Sequence, residues 1–275
     1  MNRKELDPDK SPSARFGLQL RTLRDERGWT QDELAERVGC SGTHISAVET
    51  GRRPPTRQFA ASLDRVFGSN GRFERQSQAV RQNALIEGYP EYLTHETRAA
   101  EIREYAVGAI PGLLQTPKYA TVLEADAVRR EAITPEQAEE RVDLIAKRQA
   151  SLVRSPSPLI HMVLDEGCIY RPMGKPSVME EQLARILEFA ELPNTILQIA
   201  PFSMGERRPL RLPVTVLTMP ERTLMSYAES SHRGHLERES TFVVPLLTAY
   251  HQLQAEALSQ AASVAMIQKL RKGTQ

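Results

Sequence analysis

Thr30-Gln31-Asp32-Glu33-Leu34-Ala35-Glu36-Arg37-Val38-Gly39-Cys40-Ser41 is the stretch on which the reading of the fold turns. A hydroxyl at Thr30 followed three residues on by the Glu33 carboxylate is a capping box, which opens a helix. Leu34, Ala35 and Val38 give that helix an apolar face, and Gly39 ends it, since glycine enters the left-handed conformation freely. Ser41 then caps a second short helix with Ile45 and Val48 on its apolar face and Gly51 after it. The turn between the two is three residues long, and Ala35 is small where the helices must cross closely. The other faces of the second helix carry Gly42, Thr43, His44, Ser46 and Ala47. A merely solvated helix would carry Lys and Glu there. Helix, short glycine turn and helix is the core of a helix-turn-helix.

Outward from this core the same punctuation continues. A helix over about 14–27 presents Phe16, Leu20 and Leu23 on one face, and another follows Pro54-Pro55, opening at Thr56 with Phe59, Leu63 and Val66 inside. An all-α helix-turn-helix bundle of four to five helices is therefore expected over residues 13–68. Residues 1–12, polar and holding Pro8 and Pro12, read as a disordered tail; residues 69–87, rich in Arg and Gln, read as a connecting helix or linker. Residues 1–82 hold 15 of the 36 Lys and Arg and 11 of the 35 Asp and Glu, a net +4 against −3 for the remainder. The N-terminal part is thus the better one to meet phosphates.

Residues 88–275 mix periods. Thr116-Pro117, Thr134-Pro135 with Gln137, and Ser177 with Glu180 open helices. The stretches 159–164, 195–199, 214–218 and 224–228, each bounded by Pro or Gly, read as strands. A long helix over 236–269, broken at Pro245, closes the chain. The expectation is an α+β domain with a small sheet and several helices.

With 40% hydrophobic and 26% charged residues the chain has the material for two cores. The two cysteines, Cys40 and Cys168, have no disulfide or zinc spacing. The N-terminus lacks the apolar core of a signal peptide, and no apolar run approaches the ~18 residues of a membrane span. A cytoplasmic protein with no membrane partner is expected. His232 and His235 lack the Cys or carboxylate partners of a zinc site, so no metal is assigned. Asp165-Glu166 at a strand end reads as solvated charge. No phosphate-cradling glycine loop or nucleophile elbow is present, so no catalytic residue and no cofactor is assigned.

The stretch 31–41, continued by Ile45, Val48, Glu49 and Gly51, resembles the Xre family of phage-repressor-like regulators over residues 14–68. That resemblance implies double-stranded DNA as partner, with the third helix in the major groove. It implies base readout by Ser41, Gly42, Thr43, His44, Ser46 and Ala47, and backbone contacts by Gln31, Arg52, Arg53 and Arg57. Arg24 and Glu49 match a pair that forms an internal salt bridge in the family. The sequence departs from the family in having Gly42 and Ala47 where Gln, Arg or Asn often read a base edge.

The run 110–120, with Arg148-Gln149, Leu164-Asp165-Glu166 and 197–202 followed by Gly205, resembles the C-terminal half of an actinomycete-type group of Xre regulators, described as antitoxin-like. This implies a module that senses or binds a partner. Two readings stay open: docking of a small protein encoded by an adjacent gene, or binding of a small-molecule effector. A homodimer is expected, because one helix-turn-helix buries little surface and two copies usually read two half-sites. Leu246, Leu247, Tyr250, Leu253, Ala257 and Leu258 recur at helical spacing, either as its seam or as cover for their own sheet.

Overall fold

The computed structural model describes residues 12–83, 88–230 and 233–273. The chain divides into two compact units, 1–86 and 87–275.

The first unit holds α1 (Pro12–Glu26), α2 (Gln31–Val38), α3 (Gly42–Glu49), α4 (Arg57–Phe67) and α5 (Arg72–Asn83). Thr30 and Glu33 form the capping box, and Gly39 ends α2 at φ 82°. Ser41 caps α3 and Thr56 caps α4. Phe16, Leu20, Leu34, Ile45, Leu63 and Phe73 are fully buried together. The expected tail at 1–12 lies outside the described residues except for Pro12, which already belongs to α1.

The stretch 69–87, expected as a connecting helix or linker, holds α5, a fifth member of the bundle. The Asp64 carboxylate of α4 accepts from Phe73 N at 3.0 Å and Glu74 N at 2.9 Å, so a neighbouring helix caps it. Phe73 stacks edge-on against Phe16 at 5.3 Å. Phe73 and Val80 anchor this largely polar helix among the described side chains. Residues 84–87 lie outside the described residues.

The second unit is α+β. It opens with α6 (Tyr89–Glu96) and β1 (Glu101–Ala106), then α7 (Pro117–Arg129), α8 (Pro135–Ser151), β2 (Leu159–Asp165) and α9 (Glu166–Tyr170). It continues through α10 (Pro176–Ala190), β3 (Thr195–Ala200), β4 (Val214–Thr218), β5 (Leu224–Glu229) and β6 (Gly234–Glu237) to α11 (Ser240–Glu256) and α12 (Gln260–Gly273). The six strands form one mixed sheet in the order β3-β2-β1-β4-β5-β6. β1, β2 and β3 run parallel, and β4, β5 and β6 continue antiparallel from β1. Ile102, Met162, Leu164, Leu197 and Leu217 pack one face with residues of α6, α7, α10 and α12; Tyr105, Val163 and Val214 pack the other against Tyr250 and Leu253 of α11.

The four strands read from sequence stand within a residue of their expected ends. β1 went unread because Glu101-Ile-Arg-Glu-Tyr-Ala carries three charges at the centre of the sheet. Two of those charges are matched within the unit: Arg103 donates to Thr218 at 2.8 Å and pairs with Glu101.

The expected long helix over 236–269 is instead two. Pro245 lies within α11 as its sixth residue, where it removes one ladder hydrogen bond without ending the helix. The break falls at Ala257, in extended conformation, where Leu258 N donates to Ile199 O of edge strand β3 at 2.9 Å. Ser263 Oγ then accepts from Ile199 N, covering an edge that a second chain would otherwise meet. Tyr250 and Leu253 of the apolar stripe are buried against their own sheet, with Leu246 and Ala257 beside them. The stripe is therefore cover and not a free dimer seam.

Candidate nucleic-acid interface

Glu49 at the end of α3 is the hub of the first unit. It is fully buried. Arg24 of α1 donates to it twice, from Nε at 2.5 Å and Nη2 at 3.1 Å. Gln31 of α2 adds Nε2 at 2.7 Å, and Arg21 Nη2 donates to the Glu49 carbonyl at 3.4 Å. Arg24 also donates to Trp29 O and Asp25. The carboxylate raises the Arg24 pKa further still. Three helices thus meet on one carboxylate, which fixes the angle of α3 against α1 and α2. Gly17 lets α1 come close enough for this: a Cβ there would stand 2.6 Å from Val48 O and 2.7 Å from Glu49 O.

The candidate base-reading residues do not share one environment. Thr43 is exposed, and Ser46 and Ala47 are half-buried. Ser41 is exposed with its hydroxyl accepting from His44 N at 3.2 Å. His44 is turned towards α4, its ring edge-on to Phe59 at 4.8 Å between centroids. Gly42 is half-buried beneath the Asp32 carboxylate. The face that α3 leaves outward is therefore narrower than the spacing implied: Ser41, Thr43 and Ala47, with Ser46 at its edge.

The candidate backbone contacts also divide. Arg52 is exposed, its Nε donating to Thr50 Oγ1 at 2.9 Å. Arg53 is half-buried, and Arg57 is exposed, 4.0 Å from Glu74. Gln31 is committed to Glu49 through its amide nitrogen. Arg37 and Arg27 lie over the Trp29 ring at 4.4 and 5.6 Å, which sequence reading did not single out. Cys40 is half-buried, and burial raises its thiol pKa, keeping it protonated.

In the second unit Asp165 caps α9 and accepts from Arg208 Nη1 at 2.6 Å, while Glu166 accepts from Phe202 N at 2.6 Å. Both carboxylates hold loops. Gln149 ties the run 110–120 down through Gly112 O and Gln115 O, and Gln182 binds it at Thr116 N and Leu114 O. His235 is exposed near Glu237; His232 lies outside the described residues. Among the described residues no three His, Cys, Asp or Glu side chains are grouped to hold a metal.

One cluster escaped sequence reading. Buried Arg148 of α8 binds Glu96 of α6 with Nε at 2.6 Å and Nη2 at 2.5 Å, and donates to Tyr92 Oη at 3.0 Å. Glu104 of β1 stands 3.8 Å from Arg148, and its enclosed Oε2 has no hydrogen-bond partner. Burial pushes the Glu104 pKa up to about 7, Arg148 opposing and Glu96 and Glu229 adding. Of its members the sequence marks only Arg148, as part of the resemblance of the second unit and without its partners.

Comparison with known proteins agrees with this division. Residues 15–76 match a family model described as Helix-turn-helix domain. A protein of Methanothermobacter thermautotrophicus named as an uncharacterized HTH-type transcriptional regulator is 45% identical over 49 residues, 18% of this chain and 71% of that protein. No solved structure matches the chain. No helix among the described residues is long and apolar enough to cross a membrane. Residues 89–269 match the model described as Domain of unknown function (DUF5753). With that match covering most of its length, the chain belongs to the DUF5753 family and carries a helix-turn-helix domain at its N-terminal end.

Proposed function

We propose that this protein is a sequence-specific, DNA-binding transcriptional regulator of the Xre type. Its α3 lies in the major groove, and it acts in the cytoplasm as a homodimer on two half-sites. The observation that carries the reading is the pairing of a rigid mount with a plain outer face. Glu49 locks α3 to two other helices, while Ser41, Thr43, Ser46 and Ala47 leave that helix without a charge on its outward side. Arg52 stands exposed just beyond its C-terminus and Arg57 at the start of α4, both suited to phosphates. The test is selection of duplexes from random DNA by the full chain. A motif of two half-sites one helical turn apart supports the reading; no enriched motif overturns it.

Residues 88–275 are read as a non-catalytic, antitoxin-like module that docks a small protein encoded beside this gene. Support comes from resemblance and from Asp165, Glu166, Gln149 and Gln182 being engaged in holding loops. One observation favours a small-molecule effector instead: the enclosed Glu104 carboxylate with no hydrogen bond to its Oε2. Co-expression with the product of a short adjacent reading frame decides between them. A stable complex supports docking; no complex, with a metabolite that raises the melting temperature, supports the effector.

A further inference from the structure

Gly42 is the first residue of α3, where a groove-entering helix presents its first side chain, and glycine presents none. The place is nevertheless filled. An ideal Cβ on Gly42 would stand 1.8 Å from Asp32 Oδ1 and 3.0 Å from Asp32 Cγ, so the α2 carboxylate occupies the room a side chain of α3 would take. Asp32 is exposed, and among the described residues it makes no hydrogen bond or ion pair. An acid in the first turn of a helix is commonly explained by the helix dipole. The positive ends of α2 and α3 both favour a carboxylate at this place, yet neither uses its oxygens as acceptors among the described residues. The helix ends are already served without it: Glu33 closes the capping box of α2, and Ser41 accepts from His44 N at the start of α3.

We infer that Asp32 is a specificity-determining residue, its carboxylate reaching through the gap at Gly42 to accept a hydrogen bond from the exocyclic amino group of a cytosine. An ionised carboxylate only accepts hydrogen bonds. In the major groove cytosine offers the N4 amino donor, whereas guanine offers O6 and N7 and thymine O4, all acceptors that repel a carboxylate. Adenine offers one donor beside the N7 acceptor and is the weaker match. The inference rests on the reading that α3 occupies the major groove, and it makes the residue that reads this position a member of α2.

The experiment is selection from random duplex DNA with the full chain as wild type, Asp32→Ala and Asp32→Asn, followed by affinities for the single-base variants of the recovered site. Wild type should fix a cytosine at one position of each half-site. Asp32→Ala should keep the rest of the motif and lose the preference at that position, about tenfold in relative affinity. Asp32→Asn, which can bond adenine through N6 and N7, should move the preference from cytosine to adenine. Trp29 fluorescence checks folding, and the near-isosteric Asn variant decides if the Ala variant unfolds. An unchanged motif in both variants overturns the inference, as does a uniform gain in affinity for all sequences, which marks a pure charge effect. A wild type that recovers no motif defeats the groove reading itself, a result distinguishable from either.

Discussion

At the scale of single residues, two buried carboxylates behave in opposite ways. Glu49 has both oxygens hydrogen-bonded, and Glu104 has one with no hydrogen bond. Removing Glu49 strands Arg24 in the interior, which costs about 3–5 kcal/mol for a buried pair. Trp29 is the chain's single tryptophan and lies in the first unit, against Phe67 at 5.6 Å, so its fluorescence follows that unit within the full chain. Glu49→Ala should lower the temperature of that transition well below wild type. Glu33→Ala, which removes only an exposed capping box, should lower it less. Equal shifts would contradict the hub. Glu104 gives the second unit a pH dependence. Its folded pKa, raised from 4.5 to about 7, lies above its unfolded value. Its contribution is therefore full below about pH 4.5 and is lost as pH rises to about 7, on the order of 3 kcal/mol in all. Comparing thermal melts of wild type and Glu104→Gln between pH 5 and 8 should show the wild type losing stability relative to the variant up to neutrality. Parallel curves would show that Glu104 is ionised throughout.

At the scale of elements, the bundle depends on how closely α1 approaches α3. Gly17→Ala would place a methyl 2.6 Å from a backbone carbonyl, which no rotamer can relieve. Shifting the helices to admit it should cost about 1–3 kcal/mol, read again by the Trp29 transition. An unchanged midpoint would mean the crossing is looser than described. The same elements show what could be read in advance. α2, α3 and α4 were legible because each opens with a hydroxyl cap and α2 and α4 end on left-handed glycines, signals that live within a few residues. α5 was not, because its cap comes from Asp64 of another helix. β1 was not, because it carries three charges, of which Arg103 and Glu101 are paired and Glu104 is enclosed with its Oε2 unbonded. The outward face of α3 was only partly legible: His44 and Gly42 sit at outward-looking spacings, and their actual neighbours, Phe59 and Asp32, belong to other helices. The Glu96–Arg148–Glu104 cluster joins α6, α8 and β1, and no local pattern announces it.

At the scale of the whole molecule, a helix-turn-helix unit is joined to a larger α+β unit, and the proposal gives them different tasks. The apolar stripe of α11 is buried on its own sheet, so a dimer must use other surfaces; Phe242 and Val244 on that helix are exposed. Light scattering of the full chain at micromolar concentration should report a dimer, and a monomer with unaltered two-half-site binding would remove the homodimer from the proposal. On this reading Thr43 of α3 reads bases while Arg52 only holds phosphate. Selecting duplexes with the full-length Thr43→Ala and Arg52→Ala proteins, and titrating each with salt, separates the two roles. Thr43→Ala should change the preferred base at one or two positions by ~1–3 kcal/mol with the salt slope unchanged. Arg52→Ala should keep the motif, weaken all sequences alike and lower the slope by about one. A changed motif from Arg52→Ala beside an unchanged one from Thr43→Ala would contradict the account.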